Sequence, residues 1–177
     1  MTRYIAFLRA INVGGHVVKM DHLRALFESI PLADVSTFIA SGNVIFHSKK
    51  PAAPLEAAIE KKLRSALGYE VAAMIRTPDE LAGMVEHVEA NELDAAGLTL
   101  YVGLLKTAPS AASVRAVCGL SNDVDLLSIR GREVYWQCRR NLLDSTLSGA
   151  KLEKLCAGAA TFRNFNTVRR LAARTAA

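Results

Sequence analysis

Three short phrases in this chain carry side chains that a segment with only a structural job has little reason to choose. The first runs from Arg9 through Asn12-Val13-Gly14-Gly15-His16. Glycines in such a loop let backbone N–H groups approach a ligand, and a helix starting just beyond it favours an anion. The phrase is neither G-x-G-x-x-G nor a P-loop, so it names no nucleotide, and a plain turn competes with the binding reading. Arg9 alternates in phase with Phe7 and Ile11, which puts a charge on a sheet face where it needs a partner. The second phrase is Ser41-Gly42-Asn43, a hairpin turn with glycine at positive φ or a second polar loop at the site. The third is Thr161-Phe162-Arg163-Asn164-Phe165-Asn166-Thr167. Read as the start of a last helix capped by Thr161, it sets Arg163 against the helix dipole and uses the poor helix formers Asn164, Asn166 and Thr167. An arginine, two amides and a hydroxyl there suit a phosphate or carboxylate. The competing reading is that they tie the helix to the sheet by hydrogen bonds to backbone.

Other chemistry finds little support. Cys118, Cys138 and Cys156 are widely spaced and form no C-x-x-C pair, which reads as reduced thiols in a cytoplasmic protein. His16, His22, His47 and His87 show no metal-ligand spacing, so neither a metal nor a cofactor is expected. Asp123 and Asp125 bracket the start of a strand and read as turn residues. The spacing assigns no nucleophile, and enzyme status stays open.

The elements that must position these phrases follow from periodicity. Residues 3–13 read as a strand, Met20 to Ile30 as a helix, 35–40 and 44–47 as two strands joined through Ser41-Gly42-Asn43, 55–67 as a helix and 71–75 as a strand. This βαββαβ order is the alpha-beta plait, or ferredoxin-like unit. Thr77-Pro78-Asp79-Glu80 opens a linking helix. A second βαββα series follows, with strands at 98–105, 125–129 and 133–138 and helices at 110–117 and 142–155. A helix over 162–173 takes the place of the final strand. The expected fold class is α+β, with two plait halves, the second ending in extra C-terminal helices; the expected divisions are 1–76, 77–97 and 98–177. In such a plait the turn at 41–43 and the loop at 9–16 are expected at opposite ends of the sheet.

The chain has 177 residues, half of them apolar, and a net charge of +5. It is long enough for a sizeable core, and no apolar stretch reaches the roughly 20 residues of a membrane span, so no membrane partner is expected. Residues 1–129 hold 12 basic and 14 acidic side chains, whereas residues 130–177 hold 10 and 3. The basic end points to an anionic partner, a solvated basic face being the plainer alternative.

R-A-I-N-V-G-G at 9–15, S-G-N-V-I-F at 41–46 and T-F-R-N-F-N-T-V at 161–168 together resemble the bacterial family called domain of unknown function 1697, over nearly the whole chain. Ala10, Ala40 and Phe165 stand where that family's usual forms have glycine, glutamine and tryptophan. The resemblance implies two plait subdomains and no established activity, cofactor or substrate. Two functions compete on the residues themselves. One is a small phosphate- or carboxylate-bearing ligand in a cleft, held by Arg9, Asn12, Gly14, Gly15, Ser41, Asn43, Arg163, Asn164, Asn166 and Thr167. The other is nucleic acid, RNA or single-stranded DNA, on the basic C-terminal segment, with Tyr135 or Trp136 stacking on a base among Arg130, Arg132, Arg139 and Arg140.

Overall fold

The computed structural model describes residues 1–12, 15–139 and 145–176. The chain divides into two compact units, one of Met1–Glu80 together with the end of the chain from Thr175, the other of Leu81–Arg174. Gly14, Arg140 and residues 142–144 of the helix expected from 142 lie outside the described residues; residues 145–148 are not helical, and that helix begins at Gly149 behind its cap Ser148.

The first unit runs β1 (Thr2–Leu8), α1 (Met20–Glu28), β2 (Ala33–Phe38), β3 (Asn43–Ser48), α2 (Ala52–Leu67), β4 (Ala73–Arg76) and the start of α3 (Pro78–Ala90). Its sheet has the order β2-β3-β1-β4, the two inner strands being apolar on both sides. Leu23 and Phe27 of α1 and Leu55, Ile59 and Leu63 of α2 bury one face of the sheet together with Tyr4, Phe46 and Ile75. Edge strand β4 is tied to α2 by carboxylates. The Ile75 N–H donates to Glu56 Oε1 at 2.8 Å and the Ala73 N–H to Glu60 Oε1 at 2.8 Å, which satisfies donors that an edge strand leaves open.

The second unit holds the rest of α3, then β5 (Thr99–Leu105), α4 (Ala111–Cys118), β6 (Asp125–Arg130), β7 (Glu133–Cys138), α5 (Gly149–Leu155), β8 (Ala160–Asn164) and α6 (Phe165–Thr175). Its strand order, β6-β7-β5-β8, repeats that of the first. The two-plait α+β architecture is therefore the one observed, with one correction at its C-terminal end. Residues 160–164 form a closing strand that takes in 162–164, the expected start of the 162–173 helix, and the helix starts only at Phe165. Leu104 and Val102 of β5 pair with Thr161 and Arg163, and this long-range pairing outweighs a local helical pattern.

β1 also stops earlier than expected, at Leu8. Ala10 and Asn12 take left-handed φ values of 67° and 57°, which end a strand and which asparagine tolerates.

Candidate functional site

The strand pairing brings two of the three phrases together. β1 runs antiparallel to β3, with Phe7 opposite Asn43, so the C-terminal end of β1 lies beside the turn that opens β3. Residues 9–12, which begin the 9–16 loop, and the turn at 41–43 thus share one end of the sheet, against the expectation of opposite ends; antiparallel pairing of β1 with β3 requires it.

Contacts between the loops are close. The Leu8 N–H donates to Gly42 O at 2.9 Å. Gly42, at φ 75°, would put a Cβ 3.1 Å from that of Ile11, so the turn needs glycine both for its backbone and for its approach to the first loop. Asn12 uses both ends of its amide. Its Nδ2 donates to Ala40 O at 2.9 Å, and its Oδ1 accepts from the Val18 N–H at 2.5 Å. Asn43 is wholly buried and donates from Nδ2 to Phe38 O at 3.1 Å and to Ser41 Oγ at 2.8 Å. Arg9 is exposed, and its backbone N–H donates to Ala72 O at 2.8 Å.

The loop held by Asn12 leads into a cleft of about 490 Å³ lined by Gly15, His16, Val17, Val18, Lys19, His22, Ala66, Leu67 and Tyr69. One wall is the N-terminus of α1. Lys19 sits at its N-cap and makes no side-chain hydrogen bond to the first-turn N–H groups. A Ser, Thr, Asp or Asn at that position normally satisfies one of them. Lys19 and His22 are exposed, and Asp21 is the one acidic residue in the first turn. Across the cleft the His16 imidazole stacks on the Tyr69 ring, with centroids 3.8 Å apart and planes 20° off parallel.

The third phrase lies in the second unit and divides between a strand and a helix. Arg163 is not in a first helical turn. It pairs with Val102 inside the sheet and is 8 % exposed. Its Nη1 donates to Thr161 Oγ1 at 2.7 Å and to Phe162 O at 3.0 Å, and burial lowers its pKa to about 10, which leaves it charged at neutral pH. Thr161 is buried in the strand and caps nothing. The cap of α6 is Asn164, whose Oδ1 accepts from the Asn166 N–H at 2.9 Å. Asn166 is exposed and Thr167 half-buried. Asn164 and Asn166 line a smaller niche of about 230 Å³ with Asp94, Thr99 and Arg169. There the Arg169 guanidinium pairs with the Asp94 carboxylate and lies 4.7 Å from the centre of the Phe165 ring. A ligand anion entering this niche meets a carboxylate and an arginine already neutralised.

Neither aromatic proposed for base stacking is accessible. Tyr135 is 1 % exposed and lies under His87, ring centres 4.7 Å apart. Trp136 is 5 % exposed, and its Nε1–H donates to Asp125 Oδ1 at 2.6 Å. Asp125 is therefore not a turn residue: it is fully buried, and its Oδ2 also accepts from Ser145 Oγ at 2.8 Å. Arg132 donates to Lys106 O and Arg130 to Gly83 O. Among the described residues from 130 onward, the exposed basic side chains are Arg130, Arg139, Lys151, Lys154, Arg169, Arg170 and Arg174.

Burial first, and the neighbouring Cys118 second, push the Cys156 thiol above its ordinary value, which makes it a poor nucleophile at neutral pH. Among the described residues no three of His, Cys, Asp or Glu gather as a metal-binding group, and no helix is long and apolar enough to cross a membrane.

Sequence reasoning missed Lys19, His22 and Tyr69 as site residues. The readable signal was a missing one: His16-Val17-Val18-Lys19 leads into a helix with none of the usual capping side chains. Tyr69 reaches the cleft only through the tertiary fold.

A family model described as "Protein of unknown function (DUF1697)" matches residues 1–135. Among solved structures, the chain is similar to a conserved bacterial protein, SP0830 from Streptococcus pneumoniae. The TM-score is 0.75 at 20% identity, with 99% of each chain covered. No curated protein matches.

Proposed function

The chain belongs to the DUF1697 family, whose description assigns no activity, and from the geometry of its own residues we propose that it binds a small phosphate- or carboxylate-bearing ligand in the first unit's cleft. The observation that carries this reading is a helix start without a side-chain cap, facing a cleft of about 490 Å³ rimmed by Lys19 and His22. First-turn N–H groups and the helix dipole favour an anion there, and a lysine adds a mobile point charge that suits phosphate oxygens. In this reading Gly15 lines the site, while Asn12, Ser41, Gly42 and Asn43 hold the loop that leads into it. Arg9 stands exposed nearby in the chain. Arg163, Asn164, Asn166 and Thr167 then serve the second unit's own packing and capping.

The test is calorimetric titration with inorganic phosphate and with acetate. Saturable binding that weakens about tenfold in Lys19→Ala, the equivalent of one charge-assisted contact, is the expected result. Binding that is unchanged in Lys19→Ala but lost in Asn166→Ala moves the site to the second unit.

A nucleic-acid reading rests on the exposed basic residues of the C-terminal segment alone, since Tyr135 and Trp136 are buried. It predicts RNA binding that falls steeply with salt and is indifferent to Lys19→Ala.

A further inference from the structure

The cleft beside α1 contains more than an anion needs. Four apolar side chains, Val17, Val18, Ala66 and Leu67, share its walls with Tyr69, and bare phosphate gains nothing from them. Tyr69 Oη is buried and, among the described residues, makes no hydrogen bond. A buried hydroxyl without a partner is destabilising, so it invites an explanation in terms of what enters the cleft. The face of the Tyr69 ring carries a planar nitrogen heterocycle, the imidazole of His16, at stacking distance. His16 is exposed and belongs to residues 15–19, which form no helix or strand. The protein's own side chain thus shows what shape of group this surface accepts. The cleft volume, about 490 Å³, falls in the roughly 300–1,000 Å³ range of small-molecule sites.

We propose that the ligand of this cleft is an anion carried on a planar heteroaromatic ring, the ring taking the place of the His16 imidazole on Tyr69. The Tyr69 hydroxyl, which lies in the plane of its own ring, then hydrogen-bonds the group that joins the ligand ring to the anion, and the phosphate or carboxylate meets Lys19, His22 and the first-turn N–H groups of α1. This rests on the anion-binding reading above and adds the class of group that carries the anion. Stacking on an aromatic side chain strengthens binding by roughly tenfold or more per base, which sets the size of the effect to look for.

Three probes separate the parts: AMP (ring and phosphate), ribose 5-phosphate (phosphate only) and adenosine (ring only). Each is titrated into the whole chain by calorimetry. AMP is expected to bind at least tenfold more tightly than either fragment. Tyr69→Phe, which keeps the ring and removes only the buried hydroxyl, is expected to lower AMP affinity several-fold while AMP still binds more tightly than ribose 5-phosphate. Tyr69→Leu is expected to reduce AMP to the level of ribose 5-phosphate. His16→Ala is expected to bind AMP at least as well as the wild type, because the competing imidazole is gone. Melting curves of each variant check folding, and Tyr69→Phe keeps the test readable if Tyr69→Leu is unstable. Equal affinities for AMP and ribose 5-phosphate overturn the ring inference while leaving the anion reading intact. Adenosine binding as tightly as AMP, with ribose 5-phosphate silent, overturns the anion reading instead. Silence of all three probes overturns both.

Discussion

The two units repeat one topology, β2-β3-β1-β4 and β6-β7-β5-β8, and they differ most where the first strand hands over to the first helix. In the second unit β5 ends at Leu105 and α4 begins at Ala111; Ser110 caps the helix by accepting from the Ser113 N–H at 3.1 Å. In the first unit eleven residues separate β1 from α1, and the helix starts behind a lysine that makes no cap bond. One connection closes its helix with its own side chain; the other leaves it open beside a cleft. The same difference recurs at α6, where Asn164 accepts from the Asn166 N–H. Of the two equivalent strand-to-helix connections, the proposed ligand site lies at the one without a side-chain cap; α2, which starts behind Pro51, lacks such a cap as well but lines that cleft with its C-terminal end.

The largest expected effects test whether the third phrase is structural. In Gly103→Ala the new methyl would lie 2.5 Å from the Phe162 ring, and the overpacking should cost about 2–3 kcal/mol in a denaturant melt. Arg163→Ala removes a buried guanidinium that donates to Thr161 Oγ1 and Phe162 O and should cost a similar ~2–3 kcal/mol, with phosphate affinity retained. A stable Arg163→Ala protein that no longer binds phosphate would break the comparison.

Exchanging the caps sharpens it. Lys19→Ser gives α1 the cap that α4 has; it should gain up to about 1 kcal/mol of stability while phosphate binding falls about tenfold. Ser110→Ala should lose about 1 kcal/mol with binding unchanged. Stability and affinity moving in the same direction in Lys19→Ser would contradict the idea that the open helix start is kept for a ligand.

The smallest effect is a pH dependence in the second unit. Burial, and then the charge of Arg130, lower the pKa of His87 below its ordinary value; its other neighbours are the Tyr135 ring and Asn91. The unfolded chain takes up a proton near pH 6.5 that the folded chain resists. The stability linked to His87 is therefore complete above that pH and declines as the pH falls below it. Denaturation midpoints of the wild type and His87→Gln should diverge from about pH 6.5 downward, with the wild type losing more. Parallel curves would mean that His87 titrates alike in both states.

The strand and helix order of both plaits is legible in the sequence because it rests on apolar periodicity, and Gly42 and Gly68 punctuate it at positive φ. The final strand is not legible. Thr161, Arg163 and Asn164 are polar, and only pairing with β5, 60 residues earlier in the chain, makes them a strand. Arg163 and the asparagines stand out correctly as locally unfavourable residues, but the reasons differ from binding: the arginine is buried in a sheet and Asn164 is a helix cap. Asn12 stands out for a similar reason, as the bridge between two loops. The cleft escapes a sequence reading because Tyr69 follows α2 while His16 precedes α1. Neither is unusual in its local context, and only the fold stacks their rings.

An NMR titration of the amide resonances with inorganic phosphate tests the central claim most directly. The account predicts saturable shifts concentrated at residues 19–23, the open start of α1, needing about tenfold more phosphate in Lys19→Ser, with Asn164–Thr167 unmoved. Shifts centred on Asn164–Thr167, or no saturable shift at residues 19–23, would contradict it.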